Sequence, residues 1–162
     1  MFGIHTYSVS AVRRLGRNVL RNIPKRRLNS LPQLNLNASR EEILTYFKNS
    51  WDLTEQIYAG LRDEKGFYTI PYHKLRHPFV FYIAHAAALY DNKFHHAGLT
   101  EKKVNDHFGK LFESGVDEMS WDNMHDHDVS IWPPFEDVQQ YRQQVFELVT
   151  DIIKNHSCLD GP

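Results

Sequence analysis

The chain has 162 residues, 41% of them hydrophobic and 13% aromatic, with a formal charge of −1, which suffices for one domain with a real core and excludes a wholly disordered, fibrous or low-complexity polymer. Its single cysteine, Cys158, cannot form an internal disulfide, which excludes a disulfide-stapled secreted domain and points to a reducing compartment. No stretch reaches the roughly 18–20 uninterrupted apolar residues of a membrane-spanning helix.

Residues 1–33 read as a basic extension. The first forty residues hold eight of the 19 Lys and Arg and no acid. Val12, Leu15, Val19 and Ile23 recur at helical spacing, with Arg13, Arg14, Arg17 and Arg21 between them. That is the composition of an amphipathic mitochondrial presequence, and equally of a flexible basic tail on a cytoplasmic protein or of a misassigned translation start. The remainder carries eleven bases against 20 acids, near −9. An acidic body argues against nucleic acid as a partner, because such binding rests on clustered cations that neutralise phosphates.

Residues 34–155 read as one helical domain, followed by a tail at 156–162. The first helix is expected over 37–61. Ser39 and Glu42 form the Ser-x-x-Glu capping pattern, and Ile43, Phe47, Trp51, Thr54, Ile57 or Tyr58, and Leu61 make one apolar stripe. Gly66 and Pro71 then mark a loop that delivers the chain to the next element.

That element, residues 77–98, is the most apolar segment. Pro78 suits a helix start and Gly98 a left-handed stop. Phe79, Phe81, Tyr82, Ile83, Ala84, Ala86, Ala87, Ala88 and Leu89 surround one imidazole, His85, in a helix that should be largely buried. A core histidine bonded to a neighbour and a metal ligand are both compatible with this setting. His73 and His77 are also four residues apart, but they precede Pro78, whose preceding residue disfavours helical geometry, so they do not form a helix-face clamp.

A polar connection follows from 99 to 132, with a short helix expected within 103–112. It contains His125, Asp126, His127 and Asp128, which read as a solvated loop cluster or as a surface metal site. Pro133 and Pro134 introduce the last helix, with Phe135, Val138, Tyr141, Val145, Leu148 or Val149, and Ile152 on one face. Three amphipathic helices without a strand pattern predict an all-α bundle, whose three stripes leave a groove that a fourth helix normally closes. Phe79, Phe81, Tyr82 and Leu89 are therefore expected to keep some apolar surface wet.

Residues 35 to about 153 resemble the N-terminal helical domain of 5-histidylcysteine sulfoxide synthase, the ovothiol-biosynthesis enzyme, a DinB-like domain with ergothioneine-synthase relatives. The resemblance rests on LNLNASREEILTYFKNSWDLTEQIYAGL at 34–61, KLRHPFVFYIAHAAALYDNKFHHAGL at 74–99, KLFESGVDEMSWDNM at 110–124 and WPPFEDVQQYRQQVFELVTDII at 132–153. GVDEMSW is the most specific of these phrases. The resemblance implies three long helices of an up-down four-helix bundle.

In that family ferrous iron is held by three histidines. One lies in the middle of the second bundle helix, at the place of His85, and two lie one turn apart on a fourth helix. Imidazole nitrogen suits Fe(II), and a facial three-histidine site leaves positions open for oxygen and thiolate. The present chain departs from the pattern: after Ile153 it offers only His156, and it contains neither the formylglycine-generating-like domain nor the methyltransferase domain of family members. The expectation is an incomplete N-terminal domain, truncated before the fourth helix and inactive alone, of an enzyme that joins cysteine to histidine with oxygen. His85 is its one metal-ligating position, and no catalytic residue is assigned. The alternative is a stand-alone helical interaction module or degenerate paralogue that takes a protein partner on its open groove.

Overall fold

A computed structural model describes residues 35, 37–61, 63–73, 76–113 and 131–160. The described residues form an all-α structure of five helices: α1 (Arg40–Tyr58), α2 (Lys65–Tyr68), α3 (Phe79–His96), α4 (Asp106–Leu111) and α5 (Phe135–Asn155), with a 3-10 turn at Ser157–Leu159. No strand occurs among them. Among the described residues no helix is long and apolar enough to cross a membrane. The basic extension, the GVDEMSW phrase and the His125–Asp128 cluster lie outside the described residues.

The first helix starts at its expected Ser39 cap, though it is three residues shorter at each end than the expected 37–61. Ser39 Oγ accepts the Glu42 amide and the Glu42 carboxylate accepts the Ser39 amide at 2.8 Å, a complete capping box. The backbone and hydroxyl hydrogen bonds from Ser39 hold the Glu42 carboxyl below its usual value. Along α1 the stripe turns Phe47 into the core with Trp51 and Tyr58 beside it, and leaves Ile57 66% exposed. Of the two residues that could have continued the stripe, Tyr58 does so.

The helix α5 is the shared partner of α1 and α3, packing against both. Its buried row, Val138, Tyr141, Val145, Val149 and Ile152, has the spacing of one helix face. Each such side chain contributes about 1.5–3 kcal/mol by leaving water. Arg142, beside that row, is buried as well: its guanidinium pairs with Glu55 of α1, donates to Gln139 at 3.0 Å and lies 5.0 Å from the Trp51 ring centroid. A paired and stacked guanidinium tolerates burial that a bare cation would not.

Two ends are tied by one residue. Arg40, the first residue of α1, donates to the carbonyls of Ile153 at 2.9 Å and His156 at 2.7 Å and pairs with Asp160. A cation thereby lies against the carbonyls at the end of α5, where the helix dipole is negative. The expected tail at 156–162 is accordingly held to the domain through residue 160.

Pro78 and Pro134 occupy the cap positions of α3 and α5, with extended ψ of 157° and 143°, one place before the helical turn expected for Pro78. Gly98 closes α3 at φ 72°, the left-handed stop read from the sequence. The loop expected between the first two long helices contains a helical turn, α2. Its Tyr68 hydroxyl donates to the Pro133 carbonyl at 2.7 Å, tying that turn to the start of α5.

Candidate functional site

The helix α3 positions His85, and its composition explains how. Val80, Phe81, Ile83, Ala84, Ala87 and Ala88 are buried, so the helix is held firmly on one side. Phe79 and Leu89 remain 48% and 44% exposed, and Ala86 is exposed. Phe79 and Leu89 thus keep the wet apolar surface expected of them, whereas Phe81, expected to share it, is buried. Small alanines let α5 approach one side, and Phe79, Ala86 and Leu89 lie on the other. His85 stands at the boundary, half-buried.

The imidazole is fixed by two contacts. Its ring stacks on Phe81 with centroids 5.2 Å apart and planes 17° from parallel, one turn earlier on the same helix. Its Nδ1 lies 2.5 Å from the carbonyl oxygen of Phe112. A carbonyl can only accept, so Nδ1 carries the proton, and in the neutral ring Nε2 bears the lone pair. Among the described residues Nε2 makes no hydrogen bond. Fixing one ring nitrogen on a backbone carbonyl is how proteins orient a histidine whose other nitrogen is to bind a metal.

The carbonyl of Phe112 is in turn held by a chain of polar contacts. Asp91, fully buried on α3, accepts the amides of Val104 at 2.8 Å and Asn105 at 3.3 Å and the Tyr141 hydroxyl at 3.1 Å. Asn105 then caps α4 by accepting the Phe108 amide at 3.0 Å. Asn92 donates to the Gly109 carbonyl at 2.9 Å. Gly109 permits that approach, since a Cβ there would lie 2.7 Å from Asn92 Oδ1. With α4 clamped onto α3, Phe108 and Phe112 pack into the core and the Phe112 carbonyl meets His85.

An aromatic wall closes this end. Phe81 contacts His77 at 4.3 Å, Phe112 at 6.4 Å and Trp132 at 6.0 Å, and Trp132 stacks on Phe112 at 6.1 Å. His77 packs against Phe81 and Trp132 in the non-helical segment before α3, and His73 lies in a bend earlier in that segment. The two histidines do not share a helix, as Pro78 required. Elsewhere in the core, burial raises the Tyr141 hydroxyl well above its ordinary value, with the nearby Asp91 charge adding to the effect. Burial likewise raises Tyr68 to about 12, with help from Glu64 and Asp137.

Among the described residues no group of three His, Cys, Asp or Glu side chains is placed to hold a metal ion. The donor set thus does not fit a three-histidine iron centre by itself: among the described residues His85 does not belong to a group of three metal-ligating side chains. The sequence reading did not pick out Asp91, Asn92 or Arg142. A signal was present for the first, because the buried spacing 80, 84, 87 continues to position 91, where an aspartate stands in an otherwise apolar row.

No protein-family model matches the sequence, and no curated protein matches it.

Proposed function

We propose that the chain is the helical N-terminal part, of DinB-like four-helix type, of a non-haem iron-dependent sulfoxide synthase that joins cysteine sulfur to the histidine imidazole in ovothiol biosynthesis. His85 is its ligand position, and these 162 residues are inactive alone. The observation that carries the reading is the Phe112 carbonyl on His85 Nδ1, which leaves Nε2 as the basic nitrogen of a ring locked against rotation. The sequence phrases around FYIAH and GVDEMSW support it independently. Fe(II) is the cofactor that this reading implies, and when bound by enough ligands it supplies oxygen activation. Within the present chain the residues only orient one imidazole and shield one side of it with Phe81, Phe112 and Trp132.

The test is to express the complete transcript that encodes this sequence and assay it with Fe(II), oxygen, cysteine and histidine. Sulfoxide product that disappears in His85→Ala supports the reading. A full-length product without activity, or with activity indifferent to His85→Ala, overturns it.

A second reading is a stand-alone helical module or degenerate paralogue without catalysis. It is favoured by the exposed apolar surface of Ile57, Phe79 and Leu89, since contiguous uncovered apolar surface marks an interaction site.

A further inference from the structure

The two contacts that fix His85 are joined to each other through a second pair of rings. Phe81, on which the imidazole stacks, is also in ring contact with His77 at 4.3 Å. Phe112, whose carbonyl meets Nδ1, stacks on Trp132 with centroids 6.1 Å apart and planes 15° from parallel. His77 and Trp132 in turn meet edge to face at 5.6 Å. The contacts therefore close a circuit that runs from His85 through Phe81, His77, Trp132 and Phe112 back to His85. His77 and Trp132, both half-buried, sit outside the helices, and each directly precedes a proline, Pro78 and Pro133. A residue before proline is steered to extended backbone. A tyrosine holds each segment as well: the Tyr82 hydroxyl accepts the His77 amide at 3.3 Å, and the Tyr68 hydroxyl donates to the Pro133 carbonyl at 2.7 Å. Both rings are thus delivered on backbone with little freedom.

We propose that His77 is a positioning residue for His85, acting through its ring and not through its nitrogens. The Phe81 ring has one imidazole four residues before it and another four residues after it, and it touches both. His77, backed by Trp132, restrains the Phe81 ring, and the Phe81 ring sets the plane of the His85 imidazole by stacking within 17° of parallel. That plane matters because an imidazole N–H lies in the plane of its ring and must point at its acceptor to make a good hydrogen bond. Trp132 meanwhile packs on the ring of Phe112, the residue whose carbonyl is that acceptor. One pair of residues ahead of two helices thereby holds both the plane of His85 and the oxygen that the plane must meet. The purpose of this arrangement, aiming Nε2 at an ion, rests on the reading of His85 as a ligand position. The positioning itself needs no metal.

The experiment uses the full chain, metal-free and isotope-labelled in its histidines and phenylalanines, as wild type, His77→Ala and His77→Phe. Two rates are read by magnetic resonance: solvent exchange of the His85 Nδ1 proton and flipping of the Phe81 ring. In His77→Ala both should rise roughly three- to tenfold, the factor that one aromatic pair contributes. In His77→Phe both should return to the wild-type values, because a phenyl ring keeps the contacts without a nitrogen. Unchanged amide shifts in α5 verify that each variant remains folded. Rates unaltered in His77→Ala overturn the proposal. So does a His77→Phe variant that behaves like His77→Ala, since His77 would then act through its nitrogens. A proton found on Nε2 of His85 in the wild-type chain would count against the iron reading alone, and the Phe81 flip rate with its rescue would still decide the role of His77.

Discussion

The imidazole of His85 and the backbone carbonyl of Phe112, 27 residues apart, meet at 2.5 Å. This one contact decides which ring nitrogen is left for chemistry. The neutral ring must be the Nδ1–H tautomer, so nitrogen-15 spectra of His85 should show a protonated Nδ1 and a bare Nε2. An Nε2–H tautomer would remove the ligand-type assignment.

The contact depends on Asp91, whose carboxylate serves two loop amides and the Tyr141 hydroxyl. Asp91→Ala leaves those donors buried without an acceptor and should destabilise the chain by about 3 kcal/mol, since hydrogen bonds to a charged acceptor are worth roughly 1.5–3 kcal/mol each and are not additive. It should also shift the His85 ring signals by loosening α4. Denaturant melts and spectra of the variant check both effects, and a change below about 1 kcal/mol would show that the carboxylate is not the anchor.

At the neighbouring contact, Gly109→Ala would place a methyl group 2.7 Å from Asn92 Oδ1. Overpacking of this kind costs about 1–3 kcal/mol. Pairing it with Asn92→Ala should cost less than the sum of the two single changes, because the second change removes the atom that the first one strikes. A double-mutant cycle measures this, and strict additivity would place the strain elsewhere.

Alkaline stability follows from the tyrosines. Tyr68 and Tyr141 both have hydroxyls raised above the ordinary 10.0 in the folded state. A group with a raised folded pKa contributes stability that is complete below the unfolded value and lost as pH climbs toward the folded one. The chain should therefore lose stability progressively as pH rises above 10.0, and for Tyr68 the loss runs to about 12. Tyr68→Phe should flatten part of that decline in pH-dependent melts. An unchanged slope would mean that Tyr68 titrates alike in both states.

The parts of this structure that were legible beforehand are those written locally. Ser39 and Glu42 specify a cap within four residues, Gly98 specifies a stop, and the spacing from Val138 to Ile152 specifies a face. The exposure of Phe79 and Leu89 could be read from three stripes that leave a groove, whereas the burial of Phe81 could not, because composition says how apolar a helix is but not which neighbours it meets, here His77, Phe112 and Trp132. The clamp on His85 could not be read at all in detail: Asp91, Asn92, Asn105 and Gly109 act across α3 and α4, where the outcome depends on the approach of two backbones. Arg142 was hidden for the same reason, since its burial makes sense only once Glu55 and Trp51 stand opposite.

The central claim, that His85 offers one ligand nitrogen in a site these residues do not complete, is tested most directly by an anaerobic Fe(II) titration followed through the paramagnetic broadening of imidazole signals. The expected result is weak, unsaturated broadening of the His85 ring and of neighbouring Phe81 and Phe112 signals, abolished by His85→Ala and retained in His125→Ala, because a lone imidazole lacks chelate partners. Saturation at one equivalent of iron, or broadening confined to the cluster from His125 to Asp128 with His85 untouched, would contradict it.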